Sequence, residues 1–254
     1  MFCESPKGRF PCGHCRACKL RKANEKMIIS VFAAAEFKKK GQFLTLTYND
    51  EHRPYGLQHS DFSSFMKRLR KNTGVNGVKM FVAGEYGELS GREHFHVLFY
   101  NHKFDIEDVK KAWRDPDTKE DLGFVYDGTL TPKAMKYVSG YINKKGYDPG
   151  SGKRPPYGRS SCGLPDNLTG KEIVKMCKIG KVHYNGRNFS VPENWRRRYK
   201  EIWNFFKLQR EDYLSEKYIE SYDSNKVLTP KIVSAIMDNK ELLYSLKRAK
   251  KKRV

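Results

Sequence analysis

The sequence has few acidic residues for its length, and this shortage sets its charge. Its 254 residues include 29 Asp and Glu against 50 Lys and Arg, which leaves a formal net charge of +21 at pH 7. Nucleic acid is the commonest partner of so basic a chain, because each Lys or Arg that neutralises a phosphate releases a condensed counterion. An anionic membrane surface is the competing partner, but no segment has a basic amphipathic face with a large apolar moment.

Long apolar runs are also missing. The longest, Met27 to Ala35, is about half of the ~20 residues needed to cross a bilayer, so an integral membrane protein is excluded. No secretory signal is visible at the start, and we therefore expect a cytoplasmic protein whose six cysteines are reduced thiols or metal ligands. A disordered chain is not expected, because 38% hydrophobic and 13% aromatic residues can form a core.

Composition divides the chain into three regions. Residues 1–26 are basic and Cys-rich, and residues 27–146 hold most of the periodic apolar pattern. Residues 147–254 begin with a Gly/Pro-rich stretch, read as a long loop from Tyr147 to Leu168. They continue with a β-hairpin around Asn185-Gly186 and a basic extension that is mostly helical in pattern. No internal repeat, coiled-coil heptad or P-loop lysine motif is present.

Hydrophobic periodicity in the middle region switches between 2 and 3.6 residues, which predicts a mixed α+β fold. The predicted strands lie at 43–48, 78–83, 94–100 and 124–126, and the predicted helices at 28–38, 61–71, 105–113 and from 131 toward 146. A sheet with helices on one face is the economical architecture for this order. A doubly wound sheet is not favoured, because no Gly-rich phosphate loop follows the first strand.

Two histidines share one face of the third predicted strand. Side chains alternate along a strand, so His94 and His96 point the same way and can converge on one ion. A carboxylate from Glu85 could join them through an antiparallel partner, with Glu88 and Glu93 as rival donors. Two imidazoles and one carboxylate leave coordination positions open, as catalytic metal sites do. The competing interpretation is a chance His-X-His pair in an exposed strand.

Two tyrosines share one face of the last predicted helix of this region. Tyr137 and Tyr141 are four residues apart, and Lys144 and Lys145 continue the stripe by one turn. A phenol beside a divalent cation and ammonium groups can attack a phosphodiester and form a covalent phosphotyrosine. The competing interpretation is an aromatic stripe that only packs.

Four cysteines cluster near the start of the chain. Cys12, Cys15 and Cys18 have the spacing of a zinc knuckle, and Cys3 could supply a fourth thiolate. An iron–sulfur cluster is less favoured, because the expected fourth cysteine is replaced by Lys22. Plain reduced thiols remain the alternative to structural Zn²⁺.

Taken in order, the motifs resemble those of a known family. FLTLTY (43–48), GEYG (84–87), HFH (94–96) and YVSGYINKK (137–145) are similar to the three motifs of rolling-circle replication initiators. These initiators belong to the His-hydrophobic-His (HUH) endonuclease superfamily. More narrowly, the chain resembles the initiators of gokushovirus-type small single-stranded DNA phages. Such initiators carry a similar Pro-Cys-Gly-X-Cys-X-X-Cys start, which supports a functional role for the cysteines.

The resemblance implies a central antiparallel sheet of the RRM-like, split βαβ type, with a helix that presents tyrosines across a metal. It implies Mg²⁺ or Mn²⁺ on His94, His96 and an acid, which by its position in GEYG is Glu85. Tyr137 and Tyr141 match the paired nucleophiles of a two-tyrosine DNA endonuclease and strand transferase. The expected reaction nicks and joins single-stranded DNA at a phage origin through a 5′-phosphotyrosine.

The resemblance also extends to the basic residues and the partners. Lys144 matches the lysine that follows the second tyrosine, and Arg92, Lys136 and Lys145 are expected to contact DNA. Host replication proteins, a helicase and a polymerase, are expected partners in the host bacterial cytoplasm. One departure from the family pattern is Glu93, which replaces the usual proline before the first histidine.

Two other functions stay open on sequence grounds. A noncatalytic single-strand binding or DNA-condensing protein would hold DNA by charge and stacking alone. A transposase or relaxase of the same superfamily would share the chemistry and differ in its biology.

Overall fold

A computed structural model describes most of the chain. It covers residues 3, 5, 11–13, 15–37, 41–87, 90–140, 152–165, 168–207 and 209. Tyr141, Lys144 and Lys145, for which the motifs predict catalytic or DNA-binding roles, lie outside the described residues. The chain divides into two compact units, Met1–Asn167 and Leu168–Val254. Within the described ranges, no helix is both long and apolar enough to cross a membrane.

The first unit is a sheet with flanking helices. Its strands are β1 (Gln42–Tyr48), β2 (Met80–Tyr86), β3 (Glu93–Phe99), β4 (Gly123–Gly128) and β5 (Tyr157–Ser160). Its helices are α1 (Arg16–Glu36), α2 (His59–Thr73), α3 (Ile106–Ala112) and α4 (Pro132–Gly140). The strands are ordered β4-β1-β3-β2-β5, and every pairing is antiparallel. The predicted α+β class with a central antiparallel sheet is therefore confirmed.

Helices cover both faces of this sheet, so the prediction of helices on one face was wrong. On one face, Leu44, Phe95 and Val97 pack with α2 and α3 in a continuous buried core. The opposite face also carries buried apolar side chains, including Phe81 and Ala83. These need cover as well, and α4 packs on β2 and β3 there while α1 packs on α4.

Two elements of this unit depart from the sequence prediction. β5 lies in the segment read as a loop, where its four residues pair with β2 at the edge of the sheet. An edge strand needs partners on one side only, so a short segment among Gly and Pro residues suffices. α1 begins at Arg16, before the predicted start at 28 and across the expected region boundary at 26. Its first turns are rich in Lys and Arg and lack a continuous apolar stripe.

The second unit contains a hairpin between helices. Its described elements are α5 (Gly170–Ile179), β6 (Lys181–Tyr184), β7 (Arg187–Ser190) and α6 (Glu193–Arg198). The predicted hairpin is confirmed, and both turn residues, Asn185 and Gly186, have positive φ as a type I′ turn requires. The sequence prediction missed α5, although Thr169 and Glu172 form a capping box that marks its start.

Candidate metal and nucleophile site

The three predicted metal ligands meet on the sheet face that α4 covers. The antiparallel register of β2 and β3 pairs Glu85 with His94. Nε2 of His94 lies 2.6 Å and Nε2 of His96 lies 3.1 Å from the same Glu85 oxygen, Oε1. One donor atom from each residue lies within 4.8 Å of the others. Neighbouring ligands of a divalent cation with bonds of about 2.1 Å lie about 3 Å apart, so the spacing fits such an ion.

Both imidazole rings are oriented through their other nitrogen. Nδ1 of His96 lies 2.9 Å from Thr45 Oγ1, and Nδ1 of His94 lies 3.0 Å from the Arg92 carbonyl oxygen. A carbonyl oxygen can only accept, so Nδ1 of His94 carries the proton and donates it. This arrangement turns both Nε2 atoms toward Glu85, in the same way that outer-shell partners orient metal-binding histidines.

Glu85 is a buried acid with one unsatisfied oxygen. Its exposed fraction is 4%, and its Oε2 has no hydrogen-bond partner among the described residues. Burial acts to raise the pKa of this carboxyl group, but the hydrogen bonds from His94 and His96 prevail and the pKa is lowered. A buried carboxylate with a spare oxygen beside two imidazoles is a donor set that a divalent cation would satisfy.

Glu93 does not compete for this place. Strand alternation turns it to the opposite face, where it is fully buried. Its carboxylate accepts hydrogen bonds from Arg53 Nε at 2.8 Å and from Lys153 Nζ at 3.2 Å. The prediction that Glu93 leaves a second acid near the metal was therefore wrong, and its role is an ion pair beneath the sheet. The other rival, Glu88, lies outside the described residues.

Tyr137 reaches the site from a separate element. Its ring centroid lies 5.8 Å from that of His96, in an edge-to-face arrangement. Met135 and Val138 bury the other side of α4, while the Tyr137 side chain is 50% exposed. Lys136 is exposed beside it. The helix therefore presents one predicted nucleophile to the predicted ligands and leaves it open to solvent.

Arg92, predicted to contact DNA, lies at the end of β3 and ties two strands together. Its guanidinium donates to the Tyr48 carbonyl oxygen at 2.8 Å and to an Asp50 carboxylate oxygen at 2.5 Å. The Asp50 side chain is highly exposed. The predicted phosphate contact of Arg92 stays a prediction.

The four predicted cysteine ligands also come together. One sulfur atom from each of Cys3, Cys12, Cys15 and Cys18 lies within 4.8 Å of the others. No disulfide joins any of the six cysteines of the chain, all of which are among the described residues. The two clusters therefore occupy different elements: a helix start for the thiols, and the centre of a sheet for the imidazoles.

Sequence reasoning missed the residues that surround the ligands. The β1 register places Thr45 opposite His96 and Thr47 opposite His94. The alternation in FLTLTY, with threonines between leucines, carried this signal, because it marks one polar and one apolar face. It also missed two exposed aromatic residues of β4, Phe124 and Tyr126, which pair with those same threonines.

Comparison with known proteins identifies the class. Residues 41–146, which hold both the ligands and Tyr137, match the family described as replication-associated protein ORF2. Over those residues the chain belongs to this family, and the resemblance to phage rolling-circle initiators is confirmed. No solved structure gives a significant match.

Three curated relatives are phage proteins. The chain is 35% identical to replication-associated protein VP4 of Bdellovibrio phage phiMH2K, over 54% of this chain and 48% of that protein. It is 31% identical to replication-associated protein ORF2 of Spiroplasma virus 4, over 53% and 48% respectively. Replication-associated protein ORF4 of Chlamydia phage 1 is 25% identical over 92% and 62%. The matches to the first two thus span about half the length of each relative.

Proposed function

We propose that this chain is a replication initiator that nicks and joins single-stranded DNA with the help of a divalent cation. The observation that carries the proposal is the approach of Tyr137 to His96, at 5.8 Å between ring centroids. A nucleophile and a cation-binding set then face one another across a space that a phosphodiester can enter. The family match and the names of the relatives support a role in phage DNA replication.

The proposed cation site consists of His94, His96 and Glu85. Two imidazoles and one carboxylate suit Mn²⁺ or Mg²⁺ and leave positions open for phosphate oxygens and water. When bound, the cation would withdraw electron density from the phosphate and stabilise the oxygen that departs. Thr45 and the Arg92 carbonyl hold the rings in place before the substrate arrives.

In the proposed reaction the Tyr137 phenol oxygen attacks the phosphorus at the nick site. A bond forms between the phenol oxygen and phosphorus, and the bond from phosphorus to the 3′ oxygen breaks. The phenol loses its proton to solvent, and the departing 3′ oxygen takes up a proton to become a hydroxyl group. The 5′ phosphate stays linked to the protein, so a 3′ hydroxyl group can later attack it and rejoin the strand.

The remaining proposed parts follow from the motif. Tyr141 would accept the next strand after a round of synthesis, and Lys144 would offset charge on the phosphate. Arg92, Lys136 and Lys145 would contact the DNA backbone, as the net charge of +21 favours. The proposed substrate is the single-stranded origin of the phage genome. Because the sequence has no P-loop lysine motif, unwinding and synthesis would fall to a host helicase and polymerase.

The test is a search for a covalent protein–DNA adduct. Labelled single-stranded oligonucleotides that tile the genome encoding this chain are incubated with the full-length protein and Mn²⁺, then resolved on a denaturing gel. We expect an adduct with one or a few tiles, and we expect it to be lost in the double variant Tyr137→Phe/Tyr141→Phe. Tyr55→Phe, at an exposed tyrosine of the loop after β1, is the matched control.

Two results would overturn the proposal. One is tight DNA binding without an adduct on any tile, which would favour the noncatalytic single-strand binder. The other is an adduct that persists in the double variant, which would remove the assignment of the nucleophiles.

A further inference from the structure

We propose that Cys3, Cys12, Cys15 and Cys18 form a closed tetrathiolate Zn²⁺ centre. Sγ of Cys12 lies 3.9 Å from Sγ of Cys18, and Sγ of Cys15 lies 3.9 Å from Sγ of Cys3. Four thiolates around one zinc ion, with bonds of about 2.3 Å in a tetrahedron, are separated by about 3.8 Å. Disulfide-bonded sulfur atoms would be about 2 Å apart. An iron–sulfur cluster would spread the sulfur atoms farther, because its cysteines bind different irons.

The surrounding backbone favours thiolate rather than thiol. The amide of Cys12 donates to Cys3 Sγ at 3.2 Å, and the amide of Cys15 donates to Cys12 Sγ at 3.3 Å. Gly13 lies between them with φ +83°, which lets the turn fold around a common centre. Cys15 caps α1 and Cys18 lies in its first turn, where the positive end of the helix dipole stabilises negative charge.

The position of the centre indicates a structural role. It joins the start of the chain to the N-terminus of α1, and α1 packs against α4, the helix that carries Tyr137. Four protein ligands leave no coordination position for a substrate, which is the property of structural zinc sites. The ion therefore fixes the end of the helix that supports α4.

The test is the metal content of the full-length protein, purified without added metal or chelator. We expect about one zinc ion per chain in the wild type, as one tetrathiolate centre requires. We expect its loss in Cys12→Ser and Cys18→Ser, and its retention in Cys162→Ser, which alters an exposed cysteine outside the cluster. The double variant His94→Ala/His96→Ala should also keep its zinc.

Cobalt substitution covers the case in which the cysteine variants fail to fold. Wild-type protein reconstituted with Co²⁺ should show the intense visible bands and sulfur-to-metal charge transfer of a tetrahedral cobalt thiolate. Absence of zinc together with absence of these bands would overturn the proposal. Disulfides found by mass spectrometry of the freshly purified protein, or a brown iron–sulfur chromophore, would overturn it as well.

A second inference rests on the exposed aromatic residues of β4. Phe124 is 71% and Tyr126 is 61% exposed, although large aromatic side chains are usually buried. The register places Phe124 opposite Thr47 and Tyr126 opposite Thr45, and these threonines lie opposite the two metal-ligand histidines. Both rings therefore share the face of the candidate cation site, two strands or about 10 Å away from the histidines.

We infer that Phe124 and Tyr126 stack on bases of the single strand that enters the site. Phe43 connects the two places, with its ring centroid 5.8 Å from that of His96 and 6.3 Å from that of Tyr126. An open aromatic face continuous with the phosphate-binding position suits single-stranded DNA, because every base has a face to stack. This inference rests on the proposed function, since it takes the same DNA as its ligand.

Binding of fluorescent single-stranded oligonucleotides, measured by anisotropy in EDTA so that no cleavage occurs, tests this inference. Phe124→Ala and Tyr126→Ala should each weaken binding by about fivefold to a hundredfold, the measured range for loss of one stacked base. Tyr55→Ala, at an equally exposed tyrosine, should leave binding within about twofold. Double-stranded DNA should respond little to any of the three variants.

Two outcomes separate this inference from the proposed function. Unchanged binding in Phe124→Ala/Tyr126→Ala, with adduct formation intact, would overturn the stacking surface alone. Weakened binding in a protein that never forms an adduct would support the surface and overturn the nuclease. A change in oligomeric state on sedimentation, without a change in DNA binding, would assign the surface to a contact between copies of this chain and overturn the stacking inference.

Discussion

The two candidate metal centres of this chain differ in ligand number, ligand type and surroundings. The cysteine cluster offers four sulfur atoms at the start of a helix, with neighbouring amides donating to them. The histidine cluster offers two imidazoles and one carboxylate in the middle of a sheet, with a half-exposed tyrosine beside them. Soft thiolates close the first shell around zinc, whereas a mixed shell of three leaves room for a substrate.

This difference indicates how one small unit can keep a structural ion apart from a reactive one. A tetrathiolate has no vacant position and holds its ion firmly, so its contribution is to folding. A three-ligand set with oriented rings exchanges its ion and admits phosphate oxygens, so its contribution is to chemistry. Losing either ion should therefore produce different defects in the same molecule.

The largest expected effect is on catalysis at the histidine cluster. His96→Ala should lower the rate of adduct formation by about a hundred- to a thousandfold, because a catalytic cation contributes several kcal/mol to the transition state. Cys12→Ser should lower it by less than about tenfold, because a structural site acts only through the position of α4. Single-turnover gels measure both rates, with His183→Ala in the second unit as the histidine control. Equal losses in His96→Ala and Cys12→Ser would contradict the division of roles.

Removal of the exchangeable ion should imitate the histidine variant. Brief treatment with EDTA should abolish adduct formation, and added Mn²⁺ should restore it, while the zinc content stays constant. DNA binding should weaken only mildly, because it depends chiefly on Lys and Arg contacts with phosphate. Metal analysis and adduct assays on the same sample give this result. Loss of zinc in step with activity would place the catalytic ion at the cysteines.

The reverse asymmetry is expected for stability. Cys12→Ser should lower the melting temperature by roughly 5–15 °C, as the loss of a few kcal/mol from a domain of this size implies. Glu85→Gln should change it by less than about 2 °C, because the neutral amide is cheaper to bury and keeps one hydrogen bond. Calorimetry in EDTA-free buffer compares the two variants. A larger loss in Glu85→Gln would make the histidine cluster the structural centre.

A smaller effect should come from the group that orients His96. Thr45→Val removes the hydroxyl 2.9 Å from Nδ1 and should raise the Mn²⁺ concentration for half-maximal activity by about 10- to 100-fold. Thr47→Val is the matched control, with the same substitution on the same face of β1. Similar effects of the two substitutions would show that Thr45 acts through strand packing and not through the ring.

Much of the site could be predicted from the sequence because a strand has a period of two residues. That period put His94 and His96 on one face and, with antiparallel pairing, brought Glu85 beside them. The same rule also placed Glu93 on the opposite face, but proximity in sequence was taken there as proximity in space. A buried acid next to Arg53 and Lys153 needed tertiary information, because those partners come from distant loops.

The fold was predicted best where apolar periodicity was strong. β1 and α2 lie within two residues of their predicted ends, since their buried positions alternate or recur every three to four residues. β5 and the start of α1 were missed because their stability comes from pairing and packing with other elements, not from local pattern. The edge-to-face contact of Tyr137 with His96 was likewise invisible, since it depends on how α4 lies on the sheet.

Identification of the DNA-linked amino acid tests the central claim most directly. The adduct formed with Mn²⁺ is digested with nuclease and trypsin, and the modified peptide is sequenced by mass spectrometry. Cleavage after Lys136 and Lys144 isolates residues 137–144, which hold both candidate tyrosines. The account predicts a nucleotide phosphate on a tyrosine of this peptide and no adduct from His94→Ala/His96→Ala. A modified residue elsewhere, or an undiminished adduct from the histidine variant, would contradict it.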